Sequence, residues 1–442
     1  MEDETALIPT RASRVTSQQQ AERPVRTRFA GLAVFAAVLL GVTPPRAGTA
    51  QGLPAPIPPV RVEVTGDPAP VETLRLAIIT AARAQLLETP GGQVSLAETT
   101  PPLQPLPAAS EIALRAVVQV QAGGGEPVTR AVPVRIRNEM LPWTDAQALL
   151  ISNSPETLAF SKVLLNGAVS AGQTVRLLYH HANGSPTRRM TIAVNLSNPA
   201  RDPIKLWVIG GAGNSGAGEL AVGHLAARAF LDQYWHHAGF TVELPGNTTL
   251  PLFLHPLAPG AIASGIAQFT LLAGDRLNLQ VFARLEGEID PPALSYAPDF
   301  DRVHQRGVFE PPQLVRPQAY IVDGPPVTMA IGDGRDAIHE RETGIGLDGN
   351  YGVVYTFPIE VRNPRTLPSI LGVVIHAQRG EASGTVLVDG RLFDIPRLWN
   401  GQRRLLTTVH LAPGEQRTVV ISAMPESGGY YPVDLTLGTE YR

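Results

Sequence analysis

The chain has 442 residues, a formal net charge of −3 and no cysteine, so it exceeds one ordinary domain of about 100–200 residues. The lack of thiols excludes disulfides, thiolate metal sites, a cysteine nucleophile and an N-terminal lipidated cysteine. No basic block supplies the positive footprint that nucleic acid requires, and 42 glycines and 41 prolines with only 17% charged residues favour short strands joined by many turns.

At the N-terminus, Arg23, Arg26 and Arg28 precede an apolar run from Phe29 to Val42, followed by Pro44, Pro45 and the small-residue stretch AGTA. This is the layout of a secretory signal, residues 1–50, with cleavage after Ala50. The run is shorter than the roughly 20 apolar residues that cross a bilayer, so no membrane span is expected after cleavage. The expected location is secreted, in the periplasm or at the cell surface. Residues 51–59, QGLPAPIPP, read as a stiff proline-rich linker.

Residues 60–287 are expected to form an N-terminal β-sandwich region, either one unit or two modules, 60–140 and 141–287. VRVEVTG and EIALRAVVQVQA alternate as strands do; ETLRLAIITAARAQLLE fits both a strand and a helix and is read as a strand. Proline-rich 97–110 is a loop. In TVRLLYHHANGSPTRRMTIAVNLSNP, 174–199, two apolar-rich runs flank Asn183-Gly184, which predicts a β-hairpin. Its second strand places Ile192, Val194 and Leu196 on one face.

Gly211, Gly213 and Gly216 fit G-x-G-x-x-G, and Glu243 follows at the distance of a ribose-binding carboxylate. Dinucleotide binding at 211–216 needs a parallel βαβ unit, and the turn-rich β context does not provide one, so the stretch is read as a glycine-rich loop. A helix is expected at about 218–237. Its Ala226, Phe230, Tyr234 and His237 share one face; Arg228, Asp232 and His236 line the other. Offset by 165, MTIAVNLSNPARDPIKLWVIG (190–210) aligns with YTFPIEVRNPRTLPSILGVVI (355–375), setting Asn198-Pro199 on Asn363-Pro364, and LAPG recurs at 257–260 and 411–414. Two copies of one sandwich module are inferred, the helix being an insertion in the first.

Residues 288–318, with scattered charges and no sustained period, are read as a linker. Beyond them, 319–442 form a C-terminal β-sandwich domain with strands in GVVYTFPIEVRN, SILGVVIHA, GTVLVDG, RRLLTTVHLAPG, QRTVVISAMP and YYPVDLTLG.

Chemistry-bearing motifs are few. Asp333, Asp336 and Asp348 lie in a glycine-rich stretch whose oxygens could hold Ca²⁺, although the spacing misses the EF-hand pattern. Trp143, Trp235, Trp399 and Tyr430 are candidate sugar-binding platforms, although Trp on a sandwich is more often core. His180 and His181 are adjacent on a strand, point to opposite faces and cannot share a metal, so one is expected in the core and one at the surface. No nucleophile elbow is present, no catalytic residue is identified and no cofactor is expected.

From about residue 150 onward, NSPE (153–156), VRLLYHHANGS (175–185), VGHLA (222–226), LDGNYGVVY (347–355) and YYPVDLTL (430–437) resemble segments of secreted bacterial proteins with tandem immunoglobulin-like β-sandwich domains. The resemblance implies a compartment and a fold and carries no activity. The sequence therefore reads as a mainly β, exported, non-enzymatic protein, a binding or structural module whose partner is a cell-envelope polysaccharide or protein. The alternatives are a secreted carbohydrate-active hydrolase, to be recognised by clustered carboxylates or a His-carboxylate pair in one cleft, and a sugar-binding module, to be recognised by a row of exposed aromatics along a sheet face or loop rim.

Overall fold

Two periodicities organise the chain. Stretches alternating apolar and polar every second residue form strands, and two stretches with apolar residues three and four apart form helices. In the computed structural model the described residues are 58–85, 93–121, 126–215, 218–288, 301 and 303–441. They belong to a compact unit, Pro56–Arg442. The expected signal segment and most of the linker after it lie outside the described residues.

The first elements are β1 (Val60–Thr65), α1 (Val71–Ala84), β2 (Gln93–Thr100), β3 (Glu111–Gln121) and β4 (Val128–Asn138). Next come β5 (Ala148–Ser152), β6 (Thr157–Leu158), β7 (Lys162–Ser170), β8 (Thr174–Asn183), β9 (Met190–Asn198) and β10 (Ile204–Ser215). After α2 (Glu219–Trp235) follow β11 (Gly239–Leu244), β12 (Thr248–Leu257), β13 (Ile262–Ala273) and β14 (Arg276–Leu285). The C-terminal part begins with β15 (Arg306–Glu310), β16 (Gln313–Val315), β17 (Gln318–Ile321), β18 (Val327–Ile331) and β19 (His339–Glu340). Beyond a 3₁₀ turn at Asp348–Asn350 come β20 (Val354–Arg362), β21 (Ser369–Ala377), β22 (Ala382–Val388) and β23 (Arg391–Leu398). The last strands are β24 (Arg403–Leu411), β25 (Gln416–Ala423) and β26 (Val433–Gly438).

The protein is mainly β, with two sandwiches in tandem. In the first, β12-β9-β14-β7 face β8-β13-β10-β11; in the second, β18-β26-β21-β24 face β20-β25-β22-β23. This is the expected two-sheet architecture, and its strand order is that of an eight-stranded jelly roll in both modules. Each also carries a strand or two parallel to its second jelly-roll strand, β5 beside β8 and β16 and β17 beside β20.

The repeat is real, but its register differs from the aligned one. β8, not β9, occupies the position of β20, and Asn183 corresponds to Asn363. Asn183 Nδ2 donates to Leu257 O at 3.2 Å and Asn363 Nδ2 to Ala412 O at 2.9 Å. Asn198 aligns with Asn363 because both also cap a turn, accepting from the amides of Ala200 and Arg365 at Oδ1. Short-range turn chemistry is shared by successive strand ends, so it does not distinguish one strand from the next.

The predicted hairpin is an arch. β8 pairs with β13 and β5, whereas β9 pairs with β12 and β14 in the opposite sheet. The inward Ile192, Val194 and Leu196 are fully buried. Likewise α2 does not expand the connection after the counterpart of β9. It joins β10 to β11, where the second module has a turn of two residues, Asp389 and Gly390, both at positive φ.

Residues 71–84, expected as a strand, form α1. Its buried Leu74, Ala77, Ile78 and Ala82 follow helical spacing. Arg83 Nη1 ties the helix to the carbonyls of Pro251 and Leu252 at 2.9 and 2.6 Å. Under α1 lies not a separate sandwich but a continuation of the first sandwich's sheet: β1 pairs antiparallel with β11, and β4, β3 and β2 follow outward. Two strands also occur within the segment expected as a linker. β15 adds to β5 at the far end of that sheet, and β16 adds to β20.

The glycine stretch is neither a nucleotide cradle nor a loop through Gly213. Gly211 and Gly213 lie inside β10, paired with β13, and β11 returns antiparallel. A Cβ at Gly211 would stand 2.4 Å from Phe230 N, and one at Gly213 2.6 Å from Val222 O. The glycines therefore let α2 lie directly on the strand, and the parallel βαβ geometry that a pyrophosphate requires is absent at this place.

β8 is buried on both faces along nearly its whole length. Leu177 and Tyr179 face the first sandwich's core; Leu178 joins a second core containing Phe230, Tyr355 and Phe357. On that second side Arg176 donates to Pro312 O and Gly352 O at 2.8 and 2.9 Å, beneath the rings of Phe230 and Tyr234. Four residues further along β8 from Arg176, His180 faces the same way.

Candidate functional site

His180 lines a cleft of about 470 Å³. One wall comes from the first module: the end of β5, the turn at Glu156, and the first turn of α2 with Glu219. The other comes from the second module: Leu347–Gly349, Tyr351 and the loop 427–431. Loop 427–431 can lie this close because Gly428 adopts φ +78° and a Cβ there would be 2.7 Å from the Glu219 backbone. Tyr351 donates to Gly429 O at 2.9 Å and meets Tyr431 edge to face at 5.7 Å. Tyr430, at the rim, is 64% exposed.

Donor atoms of Glu156, His180 and Glu219 all lie within 4.8 Å of one another. Behind Glu156, His304 bridges two carboxylates, with Nδ1 2.7 Å from Asp301 Oδ2 and Nε2 3.0 Å from Glu156 Oε2. Asp301 also accepts from the amides of Glu156, Val303 and His304. Burial opposes its ionisation, but these bonds outweigh it and hold the carboxyl well below its usual range. Glu156 moves the other way: burial raises its pKa, His304 opposes that rise, and the negative charges of Glu219 and Asp301 add to it.

His180 is 1% exposed, and neither ring nitrogen has a hydrogen-bond partner among the described residues. Its Nε2 is 4.0 Å from Glu219 Oε1, beyond hydrogen-bond distance. Burial, reinforced by His304, lowers its pKa to about 4, so at neutral pH the imidazole is uncharged with a lone pair available. Among the described residues lining the cleft there is no Lys or Arg. The site thus combines convergent carboxylates, a neutral imidazole and a tyrosine wall, and is suited to a cation or to polyhydroxy groups. A larger depression of about 920 Å³ crosses the first module, lined by Asn166, Asn195, Gln280 and Arg276. It has volume and amides but no buried titratable group among its lining residues.

The candidates that the sequence suggests scatter over the molecule. Asp333 pairs with Arg335 at 2.8 Å, Asp336 accepts from Tyr355 Oη at 3.0 Å, and Asp348 lines the cleft; the three form no ligand cluster among the described residues. Trp143 is wedged on His237, with ring centroids 4.1 Å apart, and Trp235 rests on Gly390. Trp399 is 55% exposed beneath Arg397. Arg397 pairs with Glu381, whose carbonyl accepts the Tyr430 amide, so the segments of Trp399 and Tyr430 are linked through Glu381. The two adjacent histidines do point apart, but neither is at the surface: His181 bonds Ser152 Oγ at 2.9 Å in the interior. Glu156, Glu219, Asp301 and His304 were not among the sequence candidates.

No family model matches the sequence, and no curated protein matches it. Among solved structures it is similar to tripeptidyl peptidase 2, at 11% identity and TM-score 0.17, over 76% of this chain but only 26% of that one. It is also similar to the tandem CBM22-1-CBM22-2 domain of Paenibacillus barcinonensis Xyn10C (9% identity, TM-score 0.14, 64% and 92% covered). A third is the M60 catalytic domain with CBM51-1 and CBM51-2 from Clostridium perfringens ZmpB (9%, TM-score 0.12, 78% and 43% covered). Similarity at this level transfers no residue and no ligand to the present chain. No helix among the described residues is long and apolar enough to cross a membrane.

Proposed function

We propose that the chain is an exported, non-enzymatic binding protein of the cell envelope whose inter-module cleft takes an envelope polysaccharide. The observation that carries this reading is the pairing of an exposed aromatic, Tyr430, at the rim of one cleft with convergent carboxylates inside it. Sugar rings offer apolar faces that stack on aromatics and hydroxyls that donate to carboxylates.

Co-sedimentation of the purified protein with the insoluble envelope fraction of its source organism tests the reading. Saturable pelleting, displaced by soluble envelope sugars, is expected. Tyr430→Ala should weaken it about fivefold to tenfold, the equivalent of roughly 1–1.5 kcal/mol of aromatic contact. Protein remaining wholly in the supernatant would sink the proposal. A second reading, hydrolysis, is favoured by two features of the cleft: the Glu156 and Glu219 oxygens lie within 4.8 Å, comparable to the about 5–5.5 Å between carboxyls of retaining glycosidases, and His304 pairs with Glu156 and Asp301. Release of reducing ends from the envelope fraction, lost in Glu156→Gln, would decide for it.

A further inference from the structure

We propose that Glu156, His180 and Glu219 bind one divalent transition ion, best matched by Zn²⁺, on the floor of the cleft. The inference deepens the binding-protein reading and rests on it only for the ion's role, not for its presence. Two independent observations meet here. Three donor atoms converge within 4.8 Å, and one belongs to a buried imidazole for which the described protein provides no hydrogen-bond partner. Leaving such a group unsatisfied is costly, and a metal on its lone pair removes that cost. The two carboxylates raise the free energy of the empty site through mutual repulsion, which a cation would reverse.

The donor set selects the class of ion. Imidazole nitrogen favours Zn²⁺ and its neighbours over Ca²⁺ and Mg²⁺, which prefer all-oxygen shells. Zn²⁺ ligands stand about 2.0–2.2 Å from the ion. A tetrahedral pair at these lengths is about 3.4 Å apart; the 4.0 Å between His180 Nε2 and Glu219 Oε1 and the spread of the set to 4.8 Å mean that the half-exposed Glu219 side chain must move inward when the ion binds. His304, held by Asp301, fixes one oxygen of Glu156, as a second layer of hydrogen bonds commonly orients metal-ligating carboxylates. Three protein ligands leave a fourth position for water or for a ligand oxygen.

The test is calorimetric titration of untagged, EDTA-dialysed full-length protein with Zn²⁺, and in parallel with Ca²⁺ and Mg²⁺. One saturable Zn²⁺ per chain is expected, weakened at least tenfold in Glu219→Gln and in His180→Gln, and unchanged in Asp333→Asn. Glu219→Gln keeps the test valid if the buried His180→Gln fails to fold. Absence of saturable Zn²⁺ binding, equal affinity in Glu219→Gln and wild type, or tighter binding of Ca²⁺ than of Zn²⁺ would each overturn the proposal. Envelope pelleting separates this proposal from the function reading. Pelleting without Zn²⁺ binding rejects the metal and keeps the binding protein; Zn²⁺ binding without pelleting does the reverse.

Discussion

At the scale of single residues, several polar groups buried in this protein are fastened in pairs and triads, and His224 shows the consequence. Its Nδ1 is 2.8 Å from Glu426 Oε2 and its Nε2 2.6 Å from Asp394 Oδ1, while Arg228 reaches the other Asp394 oxygen at 3.0 Å. Burial lowers the His224 pKa, but the hydrogen bonds and charges of Glu426 and Asp394 outweigh it and the pKa is raised above the ordinary 6.5. A folded pKa above the unfolded one means that the pair's stabilisation is complete below 6.5 and fades as pH rises through the folded value. His224→Gln should therefore lower the melting temperature most at mildly acidic pH, with the gap to wild type narrowing as pH rises above 6.5 and through the raised folded value. A gap independent of pH would show that the imidazole is not charged in the fold. Removing one partner of such a buried pair costs about 3 kcal/mol, because the fully buried Glu426 carboxyl would lose the imidazole that partners it.

At the scale of elements, helix α2 defines the first module. It replaces a turn of two residues and covers the outer face of β10. Gly211 permits that contact, since a Cβ would meet the Phe230 amide at 2.4 Å and the Ala226 carbonyl at 2.5 Å. Both are helix backbone atoms, which cannot rotate away. Gly211→Ala should destabilise the protein by about 3 kcal/mol, in the upper range for overpacking. Gly218→Ala, where a Cβ meets nothing within 4 Å, should change stability by less than about 0.5 kcal/mol. Urea unfolding of the two variants checks this, and equal midpoints would show that α2 shifts freely. The elements also show how far sequence pattern reaches. Strands such as Ser369–Ala377 are legible because their apolar residues and bounding turns are local. Residues 72–88 are not, because Leu, Ile and Ala satisfy both periods and the helix is selected by the sheet it covers.

At the scale of the molecule, the second sandwich is joined to the first through a shared core that includes Leu149, Ile209, Phe230 and Tyr355. Burial continuous across both modules predicts one cooperative transition for the described unit, with Trp fluorescence and far-ultraviolet circular dichroism melting together. Two separated midpoints would show that the modules unfold independently. The same junction builds the cleft, and for that reason the site is only partly visible in the sequence. There His180 stands out merely as one of an adjacent pair, divided between surface and core, because much of the cleft that covers it comes from residues more than 100 positions away, His304, 347–351 and 427–431. Glu156, Glu219 and His304 carry no mutual spacing that a linear pattern could detect. One signal is present: four of the five segments that carry the family resemblance, at 153–156, 175–185, 347–355 and 430–437, supply residues to the cleft.

By itself the sequence determined the β class, the positions of most strands, the presence of α2 and the existence of a repeat, since each follows from side-chain period, turn chemistry or composition over a few residues. Only the tertiary structure decided the register of the repeat, the arch in place of a hairpin, the helix at 71–84, and the meeting of Glu156, His180, Glu219 and His304. Those depend on which strands pair and which faces are covered, and both are set by long-range burial that no local stretch of sequence contains.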